Sequence, residues 1–306
     1  MTGGSTVGRP ADRFVDLHTH STASDGAFAP AAVVAHAQLA GLAAIALTDH
    51  DTVGGVAEAQ AEGERLGVRV IAGVELSAFE QGRELHVLGL HLANTEAMEH
   101  DLVTFRDTRR TRAEEIVQRL NRLGVPVTVD AVLAEAGEGA IGRPHVARAI
   151  IAGGWVRDQR EAFDRYLGAG RPAFVDKHRL EMRDAIAMVH KAGGIAVLAH
   201  PGPDGSRARV EPLAAMGLDG LEVRHPSHSA EDIARLGALT DFFGLVPSGG
   251  SDWHGATEGP RTIGNQRVPA DWLERQETRA ATHRAAPRAA AADAGSAPSG
   301  AGPTAG

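Results

Sequence analysis

The chain contains no cysteine in 306 residues. Disulfides, thiolate zinc sites and cysteine nucleophiles are therefore excluded, and any metal must be held by nitrogen and oxygen. Lysine is almost as scarce, with only Lys177 and Lys191 present, so the basic charge is carried by arginine. There is no excess of positive charge: the net charge of −8 argues against a broad basic surface for duplex nucleic acid. A small local phosphate site stays compatible with it. No run of about 18 apolar residues occurs, so no membrane span is expected. Met1 to Ala11 lacks the apolar core of a signal peptide, which makes a cytoplasmic location the default expectation.

What is present points to metal chemistry. Fifteen histidines is a high count for this length, on a chain whose 43% hydrophobic and 23% charged residues describe an ordinary soluble globular protein. The length suits one barrel-sized domain or two smaller ones. Short apolar runs alternate with helical segments. Phe14-Val15-Asp16-Leu17, Ala43 to Leu47, Arg69 to Val74 and Glu84 to His91 read as strands, with helices predicted over 31–39 and 55–66. This alternation implies a parallel α/β sheet or barrel. From about Glu96 to Leu123 the rhythm changes to one long charged helical stretch carrying Arg106, Arg109, Arg110, Arg112, Arg119 and Arg122. Its interspersed Asp107, Glu114 and Glu115 favour a solvated helix face over an RNA-binding one. Shorter helices are predicted over 128–136, 144–152 and 158–166. Strands resume at Ile195 to Ala199, Gly220 to Val223 and Leu245 to Ser248. The expected organisation is a leader at 1–12, a barrel from 13–96 and 172–275, a helical insertion at 97–171 and a disordered tail at 276–306.

The opening strand leads into His18-Thr19-His20, and residues i and i+2 of a strand point to one face, so both imidazoles can aim at one point. Asp25 follows on a Ser-Asp-Gly turn that can return a carboxylate to the same place. A His-x-His alone is weak evidence, but further candidates fall at later strand ends: His50, Glu75, His200, then Asp252 with His254. In a closed α/β barrel the carboxyl ends of the strands open on one rim, so residues distant in sequence converge there. His86 is the exception, because it lies inside its predicted strand. Neither lysine sits at a strand end, which disfavours a deaminase or amidohydrolase built around a carboxylated lysine.

His18-x-His20, Asp25, Thr48-Asp49-His50, Glu75, His86, Ala199-His200-Pro201 and Gly250-Ser251-Asp252-x-His254 resemble the motifs of the PHP (polymerase and histidinol phosphatase) family. The resemblance covers about residues 13–260 and implies a distorted seven-stranded β/α, TIM-like barrel, in agreement with the strand count. It further implies three divalent ions, with Mn most favoured and Fe or Zn as alternatives. His18, His20, Glu75 and Asp252 would hold one, Glu75, His86 and His200 a second, and Asp25, His50 and His254 a third. The implied catalytic group is a metal-activated hydroxide held by Glu75, His18, His20 and Asp252.

The helical insertion resembles the branch of nucleoside 3′,5′-bisphosphate phosphatases and 5′-3′ exoribonucleases acting on short 5′-phosphorylated RNA. Ile141-Gly142-Arg143-Pro144-His145 is similar to that branch's phosphate-binding stretch, which implies Arg143 and His145 as substrate contacts. The expected partner is a phosphorylated nucleotide or a short single-stranded RNA end, with no duplex, membrane or protein partner implied. A histidinol-phosphate phosphatase and a non-catalytic metal-binding module are the competing readings. Asp49 and Asp51 flank a ligand and are expected to support it. His225 and His228 follow a strand, and either support of a ligand or substrate contact is open for them. His36, His91, His100, His178, His190 and His283 are expected in packing or surface positions.

Overall fold

A computed structural model describes residues 14–136, 141–175 and 179–285, the side chains of 106–109 excepted. The expected leader, Lys177, His178, the Arg106 and Arg109 side chains and residues 286–306 lie outside the described residues. In chain order the first half runs β1 (Phe14–Thr19), α1 (Pro30–Leu39), β2 (Ala44–Leu47), α2 (Val56–Leu66), β3 (Arg69–Glu80) and β4 (Arg83–Leu90). Pro30 opens α1 at its first turn, where a missing N–H costs nothing. Gly67, at φ 72°, closes α2 in the left-handed conformation that glycine tolerates.

Between β4 and β5 the chain is helical: α3 (Thr95–Arg122), α4 (Val129–Ala136), α5 (Arg143–Ala152) and α6 (Gln159–Ala162), the last running into a π-helical turn at Phe163–Leu167. These helices bury an apolar cluster of their own, including Ile116, Leu120, Val146, Ile150 and Leu167. Along α3, Arg110 pairs with Glu114 and Arg119 with Glu115, each one turn apart. That is the pairing of a solvated face.

The second half runs α7 (Met182–Lys191), β5 (Ile195–Leu198), α8 (Arg207–Ala215), β6 (Gly220–Arg224), α9 (Ala230–Phe243), β7 (Val246–Gly249), β8 (Val268–Pro269) and α10 (Ala270–Ala285). The strand order is β7-β6-β5-β4-β3-β2-β1-β8. The loop after β7 returns to β1, where Thr19 and Trp253 form a parallel bridge, so the sheet nearly closes into a barrel. The predicted barrel class holds. Among the described residues there is one strand more than expected, the two-residue β8 lying antiparallel on β1.

The expectation of a wholly parallel arrangement requires correction. β4 runs antiparallel to both β3 and β5. Its cause is local: β3 continues past Glu75 to Glu80, and Gln81 (φ 50°) and Gly82 (φ 79°) turn the chain back in two residues. Two consecutive positive φ angles are the requirement of the tight hairpin turn whose twist matches that of the strands. The reversal moves the start of β4, and with it His86, to the rim that holds the ends of the other strands.

The barrel interior is apolar, formed by Val15, Leu17, Ala44, Ala46, Ile71, Leu88, Leu90, Val197 and Val246 with Leu273 and Ala280 of α10. Truncating one of its leucines to alanine would cost about 2–5 kcal/mol. α10 also corrects the expected tail at 276–306, since the chain is helical to Ala285 and Gln276 is fully buried. The Gln276 amide donates to the Pro247 carbonyl, and its oxygen accepts from His91 Nε2 at 3.2 Å. One side chain thus ties α10 to β7 and to the residue after β4.

Candidate metal centre

Glu75 is the hub of the rim. It is 1% exposed, on the interior face of β3, and five imidazoles from four different segments close on its two oxygens. His18 Nε2, His20 Nε2 and His50 Nε2 lie 3.1, 3.2 and 3.4 Å from Oε2. His86 Nδ1 and His200 Nε2 lie 2.7 and 3.1 Å from Oε1. Asp252 Oδ1 approaches His18 Nε2 at 3.5 Å, His20 Nε2 at 3.2 Å and His254 Nδ1 at 3.5 Å. Asp25 completes the far side, 3.2 Å from His254 Nε2, 3.7 Å from His20 Nδ1 and 3.9 Å from His50 Nε2. The structure therefore gathers His18, His20, Asp25, His50, Glu75, His86, His200, Asp252 and His254 at one place. Their donor atoms fall into overlapping groups, among them His18, His20, Glu75 and Asp252; His20, Asp25, His50 and His254; and His50, Glu75 and His86.

Backbone irregularity aims three of these side chains. Leu17 belongs to the interior cluster, yet the next residue, His18, also reaches the interior carboxylate. Successive residues of a regular strand cannot share a face. The register of β1 against β2 shifts between Asp16 and Thr19, and a shift of this kind re-aims a side chain. His200 (φ 30°) and Asp252 (φ 50°) sit in the left-handed region, a conformation costly for residues with a Cβ and concentrated at functional sites.

The electrostatics suit cations. Burial pushes the Glu75 carboxyl up, but the His18 charge and the close approach of the His18, His20 and His200 imidazoles outweigh it and hold the group well below the usual carboxylate range. Asp252 is likewise buried yet held far below that range by His20, His225, His18 and Arg261. Burial pushes His18 down, whereas Glu222 and Glu75 carry it well above the ordinary histidine value. Burial keeps His50 below it. Anionic carboxylates facing imidazoles are the charge state that takes up divalent ions, with release of the protons those imidazoles hold.

One atom pair tests the fit directly. Both ring nitrogens of His20 are buried, and neither makes a hydrogen bond. Nε2 is 3.2 Å from each of two carboxylates, close enough for contact but not aligned for donation. Buried polar atoms are rarely left unpaired. A ring aimed between two carboxylates with no hydrogen bond fits a divalent ion bound by nitrogen and oxygen.

Residues outside the predicted set hold the ligands in place. Glu222, fully buried in β6, accepts from His18 Nδ1 at 3.0 Å and from the His200 backbone N–H at 2.7 Å. It was missed, although a carboxylate inside Gly220-Leu221-Glu222-Val223 is the signal that could have found it. Asp16, another buried acid in an apolar strand, accepts from the Ser251 and Gly264 N–H groups and so fixes the loop before Asp252. Asp49 accepts from the Ser21 N–H and hydroxyl and from the Ser24 hydroxyl, which anchors the Asp25 loop in the supporting role expected of it. The Asp51 carboxylate accepts from the Ser77 N–H.

His225 is buried, with Nε2 3.3 Å from Asp252 Oδ2, while Arg261 binds the same oxygen. His228 accepts from the Gly202 N–H and donates from Nδ1 to the Val223 carbonyl, a tie between two backbone segments. Arg143 and His145 start α5, and their contacts lie within the helical segment. The Arg143 guanidinium donates to the Leu167 carbonyl and sits over the Phe163 and Phe174 rings. His145 Nδ1 accepts from the Gly142 N–H at 2.9 Å.

A nearly closed α/β barrel with a histidine and carboxylate cluster at one rim defines a metal-dependent phosphoesterase once its relatives are considered. A model of the PHP domain matches residues 16–109. A 3′,5′-nucleoside bisphosphate phosphatase of Chromobacterium violaceum is 37% identical over 258 residues, covering 82% of this chain and 90% of its own length. A 5′-3′ exoribonuclease of Haemophilus influenzae is 37% identical over 265 residues, covering 85% and 92%. A phosphoribosyl 1,2-cyclic phosphate 1,2-diphosphodiesterase of Eggerthella lenta is 36% identical over 261 residues, covering 83% and 99%. Among solved structures, a Bifidobacterium adolescentis protein described as a metal-dependent phosphoesterase superposes with a TM-score of 0.63 at 31% identity, covering 89% of this chain and 98% of that one. The chain belongs to the PHP family and is a phosphoric ester hydrolase. Among the described residues, no helix is long and apolar enough to cross a membrane.

Proposed function

We propose that the chain cleaves the O3′–P bond of nucleoside 3′,5′-bisphosphates and of short 5′-phosphorylated RNA. The observation that carries this reading is the convergence of buried imidazoles on Glu75 and Asp252, with His20 left without a hydrogen bond between them. The ligand sets are those the family resemblance implies: His18, His20, Glu75 and Asp252; Glu75, His86 and His200; Asp25, His50 and His254. Manganese is the favoured ion and three the favoured number. Divalent ions bound there supply an acidified water and a positive clamp for phosphoryl oxygens.

The chain's own residues supply orientation. Glu222 on Nδ1 of His18 leaves Nε2 facing Glu75, and such partners fix the ring and its tautomer. In the helical segment, taken as a substrate lid over 97–171, the Arg143 guanidinium offers a planar fork suited to two phosphate oxygens. His145 accepts at Nδ1, so its proton sits on Nε2, free to donate to a phosphoryl oxygen. Burial and the neighbouring Arg148 keep that imidazole below its ordinary value, hence neutral. The same bond breaks in both substrates. Water adds to phosphorus, O3′ leaves with a proton, and the products are a nucleoside 5′-phosphate with either phosphate or a shortened 5′-phosphorylated RNA.

The test supplies Mn²⁺-loaded protein with adenosine 3′,5′-bisphosphate, a 5′-phosphorylated short RNA, histidinol phosphate and a phosphoribosyl 1,2-cyclic phosphate, and identifies every product. Adenosine 5′-phosphate from the first and stepwise 5′-mononucleotides from the second are expected, and a chelator should abolish both. Phosphate from histidinol phosphate alone, or opening of the cyclic ester alone, would replace this reading. Metal uptake with no hydrolysis would leave a non-catalytic module.

A further inference from the structure

A second convergence lies on the opposite rim of the barrel. Asp219 immediately precedes β6, and its backbone carbonyl receives the N–H of Val246, the first residue of β7. His190 stands in the last turn of α7, before β5, and His283 in the last turn of α10. These are strand entry points, whereas the phosphoesterase centre sits at strand exits. His190 Nε2 is 2.7 Å from Asp219 Oδ2, and His283 Nε2 is 2.7 Å from Oδ1. The two rings stack with centroids 3.9 Å apart at an interplanar angle of 22°. The donor atoms of all three residues lie within 4.8 Å of one another.

The imidazole-to-carboxylate spacing falls at the short end of that of the other rim, where the corresponding distances run from 2.7 to 3.9 Å. Asp219 is 3% exposed and each imidazole about one quarter exposed, so the carboxylate is fixed while the mouth of the group opens to solvent. Burial pushes the Asp219 carboxyl up, but hydrogen bonds from His190, Ala196 and His283 hold it below its ordinary value, and it is anionic. The Ala196 N–H donates to Oδ2 at 3.0 Å and orients the carboxylate toward the two rings.

We propose that His190, Asp219 and His283 form a separate zinc-type site that clamps α7 and α10 to the base of β6. Two imidazoles and one carboxylate, with a fourth position open to water, are a nitrogen-rich set suited to Zn²⁺ and unsuited to Mg²⁺ or Ca²⁺. Arg279 approaches Asp219 Oδ1 at 3.4 Å and is anchored on the Gly244 carbonyl. Its charge opposes ions held by electrostatics alone, which leaves imidazole-binding ions as the favoured occupants. The site does not depend on the substrate read at the other rim.

The test is equilibrium dialysis of the chelator-stripped full chain against Zn²⁺, comparing wild type with the His190→Gln/His283→Gln double variant. Glutamine keeps an N–H donor for Asp219 without an imidazole. The variant should retain one equivalent of zinc fewer, and equal retention would overturn the proposal. A second measurement uses wild-type protein alone. Diethyl pyrocarbonate modification of His190 and His283, read by peptide mass spectrometry, should fall at least fivefold when zinc is bound. Unchanged modification of both would show that the triad is a hydrogen-bonded tie only.

Discussion

Replacing Glu222 by glutamine removes one negative charge and exchanges one acceptor oxygen for an NH₂ donor, with little change in volume. Both carboxylate oxygens are in use: Oε1 faces His18 Nδ1 at 3.0 Å, and Oε2 receives the His200 N–H at 2.7 Å. The backbone N–H of His200 cannot change its role, so the remaining amide oxygen must stay there. The NH₂ then faces His18 Nδ1, and two donors cannot meet in a fully buried site. His18 has one escape, which is to accept at Nδ1 and carry its proton on Nε2. That is the nitrogen 3.1 Å from Glu75, the one proposed to bind an ion.

The variant must therefore either hold the wrong tautomer or break a buried hydrogen bond when the ion enters. Changes to such partners weaken metal binding roughly 10–100-fold, equivalent to about 1.4–2.7 kcal/mol. Calorimetric titration of chelator-stripped protein with Mn²⁺ reads this directly, and thermal melts of the stripped protein separate it from loss of fold. A Glu222→Gln protein that binds every ion within twofold of wild type would refute the reasoning, because neither tautomer nor charge at His18 would then matter.

Three further outcomes follow from the geometry. Burial holds His91 at about 4, so between pH 6.5 and 4 the unfolded chain binds the extra proton; its contribution is complete above 6.5 and falls by roughly 3 kcal/mol as pH drops through 4. His91→Asn, which tolerates the φ of 59° at that position, should flatten this segment of the urea-unfolding pH profile; an unchanged slope would assign it elsewhere. A Cβ at Gly250 would lie 2.4 Å from His18 Cβ and 2.5 Å from its backbone nitrogen, so Gly250→Ala should cost about 1–3 kcal/mol in urea denaturation and weaken Mn²⁺ binding in parallel. Arg143→Ala should lower kcat/KM for adenosine 3′,5′-bisphosphate relative to adenosine 3′-monophosphate by roughly 10–100-fold, the worth of a charge-assisted phosphate contact; unchanged discrimination would remove Arg143 from substrate recognition.

The rim was legible in the sequence wherever a strand obeyed the rule that parallel strands deliver their carboxyl ends to one side. His50, Glu75, His200 and Asp252 follow that rule, and the structure brings them together with His18, His20, Asp25 and His254. His86 broke it because β4 runs backward, and the reason is two residues long. Gln81-Gly82 is a hairpin turn, and it lies beyond Glu75, where the apolar run of the third strand ends in the sequence. Once the turn is read, a histidine near the start of β4 belongs at the same rim as residues at the ends of the others.

Two kinds of residue escaped the sequence for physical reasons. Asp16 and Glu222 are acids within apolar runs, and a strand pattern hides them because it counts apolar residues rather than interruptions. In a buried strand the interruption is the informative residue: an ionised carboxylate there must be satisfied by several donors, and donors at a barrel rim include the backbones and imidazoles of the ligands themselves. The second kind is a residue pair that only tertiary structure unites. His190 and His283 each look like a lone histidine in sequence, and the composition over 276–306 reads as a tail. Leu273, Gln276 and Ala280 nevertheless fall at helical spacing, and that face carries α10 across the base of the barrel. A helix placed there by its apolar face has no freedom about where its last turn ends, and it ends with His283 against Asp219.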